Sequence, residues 1–166
     1  MSKEGKKGKK LEYDFDLFDQ DEEAYRAYWE SIQDKYPKKF AKAYWGTKYS
    51  DINHFHDYRI LRFSMLGNSN VFLHTEDLLE LEVMSMSKRG IYKFSFSKIY
   101  KVYCSLEMLD SNWRGHLFTD IVESRLGISE DGIYIFEFQT GWSKGRVRID
   151  FGKVHVEERI PKNLQR

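Results

Sequence analysis

The chain has 166 residues, 41% hydrophobic, 16% aromatic and 32% charged, with a formal net charge of +1 and one cysteine. That length suits one ordinary domain, and near-neutrality excludes a whole-molecule field that gathers nucleic acid or an acidic membrane surface, so any electrostatic partner must be met by a patch. A single cysteine, Cys104, excludes an intramolecular disulfide and a cysteine zinc cage, and no stretch approaches the roughly 18 consecutive apolar residues of a membrane span.

Residues 1–10, "MSKEGKKGKK", carry five lysines and two glycines. They bury too little apolar surface to offset the entropy of ordering and are expected to form a flexible basic tail. Without an apolar signal core behind it, this start reads as that of a soluble, cytoplasmic protein with no membrane partner. The sign of charge then reverses: Glu12, Asp14, Asp16, Asp19, Asp21, Glu22 and Glu23 have no basic residue among them. Within that block Leu11, Tyr13, Phe15 and Leu17 alternate with polar residues, the period of a short extended arm.

The period changes at "DEEAYRAYWESIQDKY", where Ala24, Tyr25, Tyr28, Trp29 and Ile32 fall at helical spacing. Asp21 is the expected N-cap, and the acids of the first turn suit the helix dipole. Tyr25, Tyr28 and Trp29 form the stripe expected to dock on a sheet. Pro37 opens a second, short helix, "PKKFAKAYW", which Gly46 ends.

From residue 58 onward short apolar runs alternate with turn residues. "YRILRFSML", "GNSN" and "VFLH" read as a hairpin, followed by strands "LLELEVMSM", "IYKFSFS", "KIYKVYCSL", "GIYIFEFQ", "GRVRIDFG" and "VHVEERI". Turn signals "KRG", "EDG", "TGWSKG" and "FGK" separate them. "GHLFTDIVESRLGI" fits helix and strand patterns alike, and its β-branched residues tip it to strand. Cys104 lies in an apolar strand-like run and reads as a small core residue. The expected fold is α+β, with N-terminal helices packed on a mostly antiparallel, meandering β-sheet over residues 11–160, and a polar end at 161–166.

Three pieces carry a resemblance: "EAYRAYWESI" at 23–32, "FHDYRI" at 55–60 with its hairpin, and "GRVRIDFGKVHVEE" at 145–158. Together they resemble a family of small bacterial proteins marked by an F-H-D or L-H-D tripeptide that opens a β-rich domain behind a tyrosine-rich helix. Domains of this look also occur among proposed immunity proteins, cytoplasmic partners that neutralise bacterial toxins. The resemblance implies a protein-binding role and brings no catalytic residues; the lysine tail and acidic arm depart from it.

On a strand His54 and His56 share a face while Asp57 points away, giving two metal ligands where a catalytic site needs about three. Phe55, His56 and Asp57 therefore read as a structural corner, and a metal-dependent hydrolase on His54 and His56 stands third among the readings. No Gly-x-Ser-x-Gly elbow or Walker loop is present. No cofactor is expected. A nucleic-acid-binding module is the alternative, with Arg146, Arg148 and Trp142 in the turn "WSKGRVR" set to stack bases and bind phosphates. The leading expectation is a non-enzymatic protein-binding domain, an immunity protein that occludes a toxin. Its acidic strip is Asp14, Asp16, Asp19, Asp21, Glu22 and Glu23, with Trp113 and Trp142 as loop anchors.

Overall fold

A computed structural model describes residues 17–45, 55, 58–66, 78–85, 90–105, 120–141 and 145–159. The expected first helix is α1, Glu22–Ile32, with Asp21 as its N-cap: the Asp21 Oδ1 accepts the Ala24 N–H at 2.8 Å. A 3-10 turn at Gln33–Lys35 ends it, and Pro37, whose carbonyl accepts the Ala41 N–H at 2.9 Å, leads into α2, Lys38–Trp45. Gly46 and the extended arm up to residue 16 lie outside the described residues.

Six strands follow: β1 Tyr58–Leu66, β2 Leu78–Ser85, β3 Ile91–Ser105, β4 Asp120–Ile128, β5 Tyr134–Thr140 and β6 Arg146–Arg159. Every pairing is antiparallel, and the order β1-β2-β3-β6-β5-β4 closes into a barrel through Tyr58↔Ile121 and Arg59↔Asp120. This corrects the expected α+β arrangement. The helices do not cover an open sheet; a short helix pair accompanies a closed barrel. Local pattern gives strands but not the long-range pairs β1·β4 and β3·β6, and it is these that roll two three-stranded meanders into one barrel. Register shifts between Ile60 and Arg62, Ile99 and Lys101, and Ile121 and Glu123 supply the local bends.

Two pairs of expected strands are single strands. "IYKFSFS" and "KIYKVYCSL" run on as β3, and "GRVRIDFG" and "VHVEERI" as β6, so "FGK" is not a turn. Gly152 serves close approach instead: a Cβ there would stand 3.0 Å from the Lys98 Cβ across the ladder. "GHLFTDIVESRLGI" is a strand over Asp120–Ile128, as its β-branched residues suggested. β1 pairs along its length with β2 and at its start with β4; "GNSN" and "VFLH" lie outside the described residues. Cys104 is exposed rather than buried, although its ladder partner Val147 belongs to the core.

Alternation fills the barrel. Leu79, Leu81 and Val83, Phe94 and Phe96, Phe136 and Phe138, and Val147, Ile149 and Phe151 are all fully buried. α2 sends Phe40 into this interior, with ring centroids 5.0 Å from Phe94, 5.5 Å from Phe136, 6.0 Å from Phe96 and 6.3 Å from Phe151. Trp29 of α1 packs edge-on against Tyr36 and Tyr44, so helices and barrel share one core.

Candidate interaction surfaces

Aromatic and aliphatic side chains occupy the barrel interior, and three groupings of charged side chains lie on the described exterior. The first exterior feature is the start of α1. Asp19, Asp21, Glu22 and Glu23 are exposed and follow one another into the first turn, where the unpaired N–H groups favour negative charge. Glu22 also reaches Arg26 at 3.8 Å, one turn along, an exposed pair of little energetic weight.

What holds this acidic segment in place is Arg125, on the outer face of β4. Its guanidinium donates to the carbonyls of Leu17 and Gln20, the second at 2.8 Å, and pairs with Glu123 at 3.2 Å. It also lies over the rings of Phe18 and Tyr25, at 5.2 and 4.7 Å from their centroids. Its two terminal nitrogens thus have carbonyl and carboxylate partners and its plane has aromatic ones, while the buried Nε has no hydrogen-bond partner. Sequence reading missed Arg125 because a lone arginine in a strand pattern gives no hint of a turn more than 100 residues away.

Tyrosine hydroxyls fix the rest of the helical segment to β4. Beyond the two-pair seam with β1, the Tyr25 hydroxyl accepts the Leu126 N–H at 2.7 Å and donates to the Leu126 carbonyl at 3.2 Å. The Tyr28 hydroxyl does the same for Ile128, at 3.0 and 3.2 Å. Tyr44 donates to the Ser124 carbonyl at 2.9 Å. Residues 124, 126 and 128 present their peptide groups to the same edge, so three phenols stand in for a neighbouring strand. Burial pushes the Tyr25 hydroxyl well above its ordinary ionisation range, and does the same for Tyr36 and Tyr44.

The second exterior feature is a charged row across β5 and β6. Glu137 is fully buried on the outward face and accepts from Arg148 at 3.1 Å, its register partner. Arg148 also grips Asp150 through Nε at 2.7 Å and Nη2 at 3.2 Å. The arginine expected to bind phosphate is thus engaged by two carboxylates, whereas Arg146, two residues earlier, is exposed. A third grouping lies across β1, β2 and β3, where Glu80 is bonded by Lys93 at 2.8 Å and approached by Arg62 at 3.9 Å. The Lys93 hydrogen bond holds the Glu80 carboxyl below its ordinary range.

Of the corner tripeptide, Phe55 is a core residue, edge-on to Tyr44 at 4.9 Å, and its carbonyl accepts the Tyr58 N–H at 3.1 Å in a turn into β1. His54, His56, Asp57, Asp14, Asp16, Trp113 and Trp142 lie outside the described residues. Among the described residues no group of three His, Cys, Asp or Glu side chains is placed to hold a metal ion. Nor is any described helix long and apolar enough to cross a membrane. Searches against family models and curated proteins return no match to this chain.

Proposed function

We propose that this chain is a non-enzymatic binding domain that docks a protein partner through the acidic start of α1. In its sharpest form it is a cytoplasmic immunity protein that covers the basic substrate groove of a bacterial nuclease toxin. The observation that carries this reading is that four consecutive-turn acids, Asp19, Asp21, Glu22 and Glu23, are exposed on a segment pinned to the barrel by Arg125 and by the tyrosine hydroxyls. A pre-positioned acidic strip loses little entropy on docking, steers a basic partner and excludes like-charged ones. With aromatic side chains filling the barrel, an outer-surface role is favoured over a ligand held inside.

The test is binding to the protein encoded beside this chain's gene, with Asp19→Asn, Glu22→Gln and Glu23→Gln combined. Asp21 is left intact because it caps the helix. The variant is expected to lose about tenfold or more in affinity at low salt and to show a flatter salt dependence. Equal affinity and equal salt dependence would refute the strip.

A further inference from the structure

Among the described residues two have left-handed backbone: Gly132, φ 77°, in the β4–β5 turn, and Lys98, φ 51°, inside β3. Glycine takes that conformation at no steric cost, whereas an L side chain pays for it. A glycine at position 98 would serve the backbone better. The glycine stands instead across the ladder, at 152, where the Lys98 stem and the Tyr100 ring cross it: a Cβ there would meet the Lys98 Cβ at 3.0 Å, its Cδ at 3.2 Å and the Tyr100 Cε2 at 3.5 Å. The local sequence is therefore arranged to keep a lysine side chain at a position where it strains the backbone.

The same bend displays an aromatic ring. Ile99 pairs with Phe151 and Lys101 with Asp150, which leaves Tyr100 as the extra residue of a bulge, and its side chain is 61% exposed. Bulges commonly re-aim a side chain beside a functional surface. Lys153, adjacent to Gly152, is exposed, and Lys101 flanks the ring on the other side. The nearest acid on the ladder, Asp150, is held bidentately by Arg148. In the barrel order β3 stands three strands from β4 in either direction, so this surface faces away from the acidic start of α1.

We propose that Lys98, Tyr100 and Lys153 at the β3–β6 bulge form a docking surface for single-stranded nucleic acid. A base stacks on the Tyr100 ring and the lysines meet the flanking phosphates. Charge complementarity fits any polyanion; the exposed ring between lysines favours one that carries planar bases. Strain at Lys98 is the feature that a merely solvated basic surface does not explain.

The probe is a fluorescein-labelled oligodeoxythymidylate of about 12 nucleotides, followed by anisotropy against the full chain. Binding is expected at low salt, with log K falling against log salt at a slope of about −1.4, as for two neutralised phosphates on a single strand. Tyr100→Ala is expected to weaken it about tenfold and Tyr100→Phe to leave it unchanged. Lys98→Gly is expected to raise the thermal midpoint while weakening binding, which separates loss of function from loss of fold. An oligonucleotide that does not bind, or binds Tyr100→Ala and Lys98→Gly as tightly as the parent, would overturn the proposal. So would equal displacement by oligoglutamate, since that marks an acidic-peptide surface instead.

Discussion

Tyr25 illustrates how much one atom carries in this molecule. Its hydroxyl is the partner of both the N–H and the carbonyl of Leu126, and the ring is 1% exposed. Tyr25→Phe keeps the ring and strands two buried peptide groups, so it is expected to cost about 2–3 kcal/mol in chemical denaturation. Tyr134→Phe, whose exposed hydroxyl makes only a 3.4 Å bond to the Lys35 carbonyl, is expected to cost less than about 0.5 kcal/mol. The buried phenols also set an alkaline limit. Burial, with Glu158 adding to it, raises Tyr92 from 10.0 to about 12, and burial raises Tyr25 and Tyr36 as well. A raised folded pKa means that the folded state holds the proton more tightly; that stability is complete below pH 10 and is lost as pH rises through the folded values. Stability against denaturant is accordingly expected to fall steadily from about pH 10 to pH 12, with phenolate absorbance at Tyr92 rising late in that window. At this scale the sequence showed that Tyr25, Tyr28 and Trp29 face inward, because helical period reports facing. It did not show that their hydroxyls finish a strand edge, because nothing local encodes which edge the barrel leaves open.

Elements were more legible where their signals are local. The period, cap and proline of "DEEAYRAYWESIQDKYPKKF" placed both helices, and Asp21→Ala is expected to cost about 1 kcal/mol through loss of the cap. Strand existence was legible too, whereas strand length was not. "FGK" carries the composition of a turn, yet Gly152 is there to let Lys98 cross, so β6 continues for 14 residues and β3 for 15. Cys104 shows the reverse failure: its apolar neighbours suggested core, but the thiol is exposed at the end of β3. The deepest tie of helix to barrel in the ring packing is Phe40, fully buried among rings from β3, β5 and β6. Phe40→Ala is expected to cost about 3–5 kcal/mol, and to lower the denaturation midpoint far more than truncation of exposed Leu61.

At the scale of the whole molecule, closure is what sequence reading could not reach. Each half of the barrel is a hairpin-connected meander, and only the β3·β6 ladder and the short β1·β4 seam, both between distant segments, turn an open sheet into a barrel. Closure changes the functional reading as well as the fold. Of the two arginines expected to meet phosphate, Arg148 is engaged by Glu137 and Asp150, and Arg146 is exposed. The described acids Asp19, Asp21, Glu22 and Glu23, in contrast, sit on a segment whose carbonyls at Leu17 and Gln20 accept from Arg125. The described surface then has two poles on opposite staves, acids ahead of α1 and lysines at the β3–β6 bulge.

Recognition of a basic protein by the acidic pole is the proposal on which the functional reading stands. It is tested most directly by a parallel pull-down from source-cell lysate with the tagged parent chain and the Asp19→Asn, Glu22→Gln, Glu23→Gln variant, eluting with salt rising from about 50 to 500 mM. The expected result is one basic protein retained by the parent, released as salt rises and absent from the variant, whose nuclease activity appears only after release. Identical eluates from the two chains, or a shared partner that ignores salt, would contradict it.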